Sequence, residues 1–147
     1  MTAINRHRLF WLSVLALFTA SMSASLRAAV ASSLKAEWID PIAPIAAGEM
    51  IGAALGSAFL GFSITVFVVS AFLDTIGIRR VLIGCGIAFL IGTTLIVGAG
   101  SMATGMTVYH LVWLGMLLSG IGWGFAESSI NPLTARLYPE DTTHRLN

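Results

Sequence analysis

The sequence predicts an all-α membrane protein with four transmembrane helices. Composition is the first reason: 56% of the 147 residues are hydrophobic and 10% are charged, against about 25% charged in an ordinary soluble domain. Size is the second, because a soluble fold of this length leaves too much surface in water to hide so much apolar material. The third is the pattern of four apolar runs, at about 9–34, 50–73, 81–99 and 109–131, separated by polar stretches. At about 1.5 Å per residue, each is long enough or nearly so to cross a hydrocarbon core of ~30 Å.

A short basic head with Arg6, His7 and Arg8 precedes the first run, which is interrupted by Arg27 and some Ser and Thr. A basic head, an apolar stretch and the small residues Ser21 to Ala24 are also the parts of a cleaved signal peptide. The length of the run and the three runs behind it favour a span. Lys35 to Glu49 reads as the first loop: Pro41 and Pro44 oppose a continuous helix, and Trp38 suits a membrane interface. The second span is rich in small residues, and its Gly52 and Gly56 form a GxxxG pair of the kind that allows close helix contact.

Asp74 to Arg80 is a short charged loop in which Gly77 permits a sharp turn. Asp74 is placed to cap the next turn or to pair with an arginine from a neighbouring helix, and Arg79 and Arg80 to anchor the loop at the headgroups. The third span follows, then a polar loop from Gly100 to His110. In the fourth span, Gly120, Gly122 and Gly124 read as close-packing positions; no strand precedes them, as a phosphate-binding loop requires. Pro132 is expected to break the run, and Pro139 to Asn147 to begin a further connection.

Lys and Arg set the orientation. With the N-terminus inside, the inner segments hold Arg6, Arg8, Arg79, Arg80, Arg136 and Arg145, and the outer loops hold only Lys35. Both ends are therefore expected in the cytoplasm and the chain in the cell's inner, or plasma, membrane. No basic stripe marks a nucleic-acid surface. No Ser-His-Asp set or carboxylate pair points to hydrolysis, so the chain is not read as an enzyme. His7 and His110 are too isolated for a metal site, no cofactor is implied, and Cys85 reads as a small packing residue.

Glu127 carries the strongest chemical demand. It lies behind a long apolar run, with Asn131 one turn further along the same face. A charged carboxylate near mid-bilayer costs about 2.5–3.5 kcal/mol on insertion scales. Such a residue faces a wet cavity, takes up a proton, or bonds across helices to hold the bundle. Arg27 poses the same problem with opposite sign: it can bind an anionic solute, pair with a carboxylate, or snorkel outward. Its expected offset from Glu127 along the membrane normal, roughly 15 Å, opposes a direct pair.

Two resemblances follow from these residues. Ser70 to Leu82, SAFLDTIGIRRVL, resembles the loop between the second and third spans of the major facilitator superfamily, with Asp74, Gly77, Arg79 and Leu82 matching its pattern. Ser70 stands in place of a usual Gly, and Thr75 and Ile78 in place of basic residues. The resemblance implies a cytoplasmic gating loop formed by Asp74, Gly77, Arg79 and Arg80. Gly124 to Pro132, GFAESSINP, followed by Pro139-Glu140 and Arg145 to Asn147, resembles the sugar-porter branch typified by the fucose:proton symporter. That likeness implies proton coupling and sugar recognition at Glu127, with Asn131 near the sugar hydroxyls. Span one departs from the branch: Ala28 stands where the branch has Asp, with Arg27 beside it.

The resemblance implies that the four spans are part of the N-terminal six-helix half of a major facilitator fold. The expected function is secondary transport of a small polar solute, a sugar, by proton symport, with the bilayer and the remaining spans as partners. The chain is expected to be a truncated part of that transporter. The alternative is a self-contained four-helix membrane protein acting as an oligomer, as a small exporter or a structural or assembly subunit. Small multidrug exporters also work with one membrane Glu, which they place in the first span.

Overall fold

The computed structural model describes residues 6–139 and is all helical. Its helices are α1 (Arg6–Leu34), α2 (Ala47–Ile76), α3 (Ile78–Met102) and α4 (Met106–Leu137). All four are long and apolar enough to cross a membrane. Each outruns its apolar stretch, because the backbone ladder continues where side chains turn polar at the headgroups. The outward faces carry Phe18, Phe67, Leu90 and Val97, all exposed, as a lipid-facing surface requires.

The connections are shorter than the polar stretches. At its C-terminal end α1 passes into one π-helical turn, Lys35–Ile39. That turn is closed by the Asp40 N–H donating to the Lys35 carbonyl and by a 2.7 Å ion pair between Lys35 and Asp40. Ile39 is fully buried and pins the turn. The helical path ends just before Pro41, whose ring disfavours helix in the residue before it. The expected loop from Gly100 to His110 shrinks to three residues, 103–105, between α3 and α4.

The link between α2 and α3 is Gly77 alone. Its φ of +87° is a conformation that side-chain-bearing residues rarely adopt, and its N–H donates to the Leu73 carbonyl. The sharp turn expected there is thus confirmed. Asp74 consequently sits on the last turn of α2, and Arg79 and Arg80 on the first turn of α3.

Helix α4 is the centre of the bundle. It packs along both α2 and α3, which scarcely touch each other, and more lightly against α1. Without a hydrophobic drive between helices in lipid, such seams rely on close approach of small residues. Gly120 and Gly124 face α2 and Gly122 faces α3: a Cβ on Gly120 would lie 1.9 Å from the Ala58 carbonyl oxygen, and one on Gly122 3.0 Å from the Phe89 ring. Gly92 of α3 and Gly115 of α4 approach so closely that a Cβ on either would lie within 2.8 Å of the other's carbonyl oxygen. Ser57 of α2 stitches the seam, donating to the carbonyls of Ala54 (2.7 Å) and Trp113 (3.0 Å).

Two expectations are corrected. Gly52 and Gly56 make no close helix contact here; open space surrounds both, as it does Gly48. Pro132 does not break α4, which continues to Leu137. A proline removes one backbone bond to the carbonyl four residues back, but neighbouring helices and hydroxyl side chains make this tolerable in membrane helices. Around Pro132 the hydroxyls of Ser128 and Ser129 bond to the carbonyls of Gly124 and Phe125.

Candidate functional site

Helix α4 carries a polar row at four-residue spacing. Ser119 Oγ, Trp123 Nε1 and Glu127 Oε2 are enclosed and have no hydrogen-bond partner among the described residues. Their spacing is four and four, so they follow one side of the helix over about 12 Å. Leaving a buried polar group unpaired costs about 1–3 kcal/mol, and such groups are rare enough that each needs a reason. Ser119 has a local one: it is wedged into the α3 seam, its hydroxyl 2.6 Å from where a Cβ on Gly92 would sit. Trp123 lies over Phe62 of α2, with ring centroids 4.4 Å apart.

Glu127 is half-buried, with one oxygen closed off and unpaired. Asn131, one turn further, is exposed. It lines a groove of about 350 Å³ between α1 and α4, with Ser21 and Thr134 as polar neighbours and Phe10, Leu17 and Phe18 as apolar ones. The two residues lie one turn apart on α4, as their spacing predicts, and Asn131 faces α1 across this groove.

Helix α1 runs antiparallel to α4. The Phe10 and Tyr138 rings meet at one end, 5.7 Å apart, and Ala20 packs in one cluster with Ala126 and Ile130. The buried positions of α1 are Ser13, Ala20 and Arg27, seven apart on one face. Arg27 is only 7% exposed. Its Nη1 donates to Ser23 Oγ at 2.9 Å, one turn back toward the N-terminus, and no carboxylate among the described residues pairs with it. The side chain turns back along α1 toward Ser23. As expected, Arg27 and Glu127 do not pair.

A second groove, of about 430 Å³, runs between α1 and α3. Leu12, Leu15, Ala16 and Phe89 form its apolar part. Thr19, Ser23 and Thr93 bring hydroxyls to it, and Cys85 lines it. Ser23 thus serves both the groove and Arg27.

At the opposite end of the α2–α4 seam, Asp74 Oδ1 accepts a hydrogen bond from Arg136 Nη2 of α4. This is the pairing with a neighbouring helix that the sequence allowed. Both side chains are well exposed, so the pair contributes about 0–1 kcal/mol. Arg80 Nη1 reaches back to the Ile76 carbonyl at 3.4 Å, and Arg79 is exposed. The motif residues are thus gathered at one end of the bundle, with Arg136 as an added member. Glu140 and Arg145 to Asn147 lie outside the described residues.

No group of three or more His, Cys, Asp or Glu among the described residues is set to hold a metal ion. Sequence reasoning passed over Ser119 and gave Trp123 no firm place. The readable clue was the four-residue spacing 119, 123, 127, 131. Comparison with known protein families, with curated proteins and with solved structures finds no match. The major facilitator resemblance therefore stands on the short motifs quoted above.

Proposed function

We propose that this chain is part of a secondary transporter that carries a small polar solute, a sugar, together with a proton. Glu127 is the proton carrier and Asn131 a sugar contact. The observation that carries this reading is the enclosed, unpaired oxygen of Glu127 in a membrane-spanning helix. A carboxylate kept there serves a loading and release cycle better than it serves packing. Four spans supply one wall of a path; the remaining spans supply the other and rock against it. In this reading both ends lie in the cytoplasm, and Asp74, Gly77, Arg79 and Arg80 form the gating loop, with Arg136 as the partner that Asp74 engages.

The test is sugar-driven proton movement in proteoliposomes, using the protein expressed from its native reading frame. Adding sugar on one side should acidify the other, and Glu127→Gln should abolish that signal while exchange of labelled sugar persists. Unchanged coupled uptake in the Gln variant would remove Glu127 from the mechanism.

A self-contained four-helix protein acting as an oligomer is the second reading. The open stripe of Gly48, Gly52 and Gly56 favours it, since a second copy would close it. A monomeric mass in mild detergent and in lipid discs would count against that reading.

A further inference from the structure

We infer that the groove between α1 and α3 holds one acyl chain of an anionic phospholipid, whose phosphate is met by Arg8 and Arg79. Charge is the first observation. The contact of Phe10 with Tyr138 sets the start of α1 beside the end of α4, and the bond from Arg136 to Asp74 sets the end of α2 there too. Gly77 then fixes the start of α3 at the same end. Arg6, Arg8, Arg79, Arg80 and Arg136 are therefore gathered at one end of the bundle, and all are exposed. Among the described residues, the acidic side chain at that end is Asp74. The opposite end shows Glu37 and Glu49, both exposed, and Asp40 paired with Lys35. Arginines at a membrane surface draw anionic headgroups.

The groove lies directly below this basic end. Helices α1 and α3 barely touch each other, and the groove of about 430 Å³ occupies the gap. It runs from Leu12 and Cys85, near where both apolar runs begin, to Ser23 and Thr93, near their midpoints. From Leu12 to Ser23 is about 16 Å of helix, half of a hydrocarbon core of ~30 Å. The groove is thus one leaflet deep, in the leaflet at the basic end. Arg8 lies one turn before Leu12, on the face of α1 that lines the groove. Arg79 lies less than two turns before Cys85 on α3. A cation at the mouth of each wall, with apolar walls beneath, repeats the order of parts in a phospholipid.

Other occupants fit less well. The groove offers a polar guest little, because Thr19 donates its hydroxyl to the Leu15 carbonyl at 2.8 Å and Ser23 Oγ accepts from Arg27. A helix is ~10–12 Å across with its side chains, and the groove volume spread over one leaflet leaves a narrower section than that. A single hydrocarbon chain matches both section and length. Bilayer tails are as apolar as the groove, so headgroup charge decides which lipid stays.

The test is native mass spectrometry of the protein expressed from its native reading frame, released from micelles that hold phosphatidylglycerol and phosphatidylcholine with the same acyl chains. One phosphatidylglycerol per chain should be retained, about tenfold or more above phosphatidylcholine. Arg8→Gln combined with Arg79→Gln should erase that preference, and the matching pair of Lys substitutions should keep it. Thr19→Phe fills the groove with both arginines in place, and should lower phosphatidylglycerol retention to the phosphatidylcholine level. Circular dichroism checks that each variant is helical. A preference that survives the loss of both arginines, or retention untouched by Thr19→Phe, would overturn the lipid site. Retention of neither lipid by a helical protein would overturn it as well, and would give the groove to a further span or a second copy.

Discussion

The two flanks of α4 are built on opposite terms. Toward α2 and α3 the helix shows glycines, and backbones come so close that a Cβ on Gly120 would overlap the Ala58 carbonyl. Along the row 119, 123, 127 it shows Ser119, Trp123 and Glu127, each with an enclosed polar atom that has no hydrogen-bond partner among the described residues. The glycine seam is closely packed, whereas the polar row keeps enclosed atoms without partners among the described residues. On the proposed reading the difference separates scaffold from working site, since evolved proteins sacrifice stability at working sites.

The sharpest way to break this comparison is to substitute on the satisfied flank. Gly120→Val must push α2 away from α4, and a loss of about 3 kcal/mol or more is expected, read as the midpoint of unfolding in mixed micelles. A loss below about 1 kcal/mol would mean the seam is loose. Away from that seam the sign should reverse: Arg27→Leu removes a buried, poorly partnered cation of α1 and should stabilise the fold by about 1–3 kcal/mol. Destabilisation by a similar amount would make Arg27 a structural residue.

Smaller effects sharpen the contrast. Glu127→Gln keeps the shape of the side chain and should change stability by less than about 1 kcal/mol; on the proposed reading its consequence appears in proton coupling instead. Gly52→Ala enters open space and should shift stability within about 0.5 kcal/mol. A loss above about 1 kcal/mol in lipid, absent in detergent, would reveal a helix seated on that stripe. Asp74→Asn should be the mildest, within a few tenths of a kcal/mol, because its partner Arg136 is exposed as well.

Much of the fold was legible because lipid imposes a simple rule: every backbone group must be satisfied within the span, so long apolar runs become helices. The turn at Gly77 and the packing role of Gly120, Gly122 and Gly124 were legible for the same kind of reason, since few other residues permit those geometries. Helix ends were not, because hydropathy marks the hydrocarbon and not the backbone ladder. Hence α4 runs on through Pro132, and most of the expected loop from Gly100 to His110 is helix. A GxxxG pair states that contact is permitted, not which helix accepts it, and Gly52 and Gly56 show the difference. At the candidate site, the shared flank of Glu127 and Asn131 followed from spacing alone. The turn of the Arg27 side chain back to Ser23 did not, because it depends on the rotamer.

The single-residue link at Gly77 has a consequence for how the protein is made. It joins α2 and α3 too tightly for them to enter the membrane as independent events, so the two should insert as one hairpin. Yet these helices scarcely touch each other and each lies instead along α4, which is synthesised after both. The hairpin therefore waits in the bilayer, its glycine faces uncovered, until the ribosome delivers the helix that both of them need. The order of synthesis leaves the keystone for last, and that interval is when the nascent bundle is most open to a chaperone or a membrane protease.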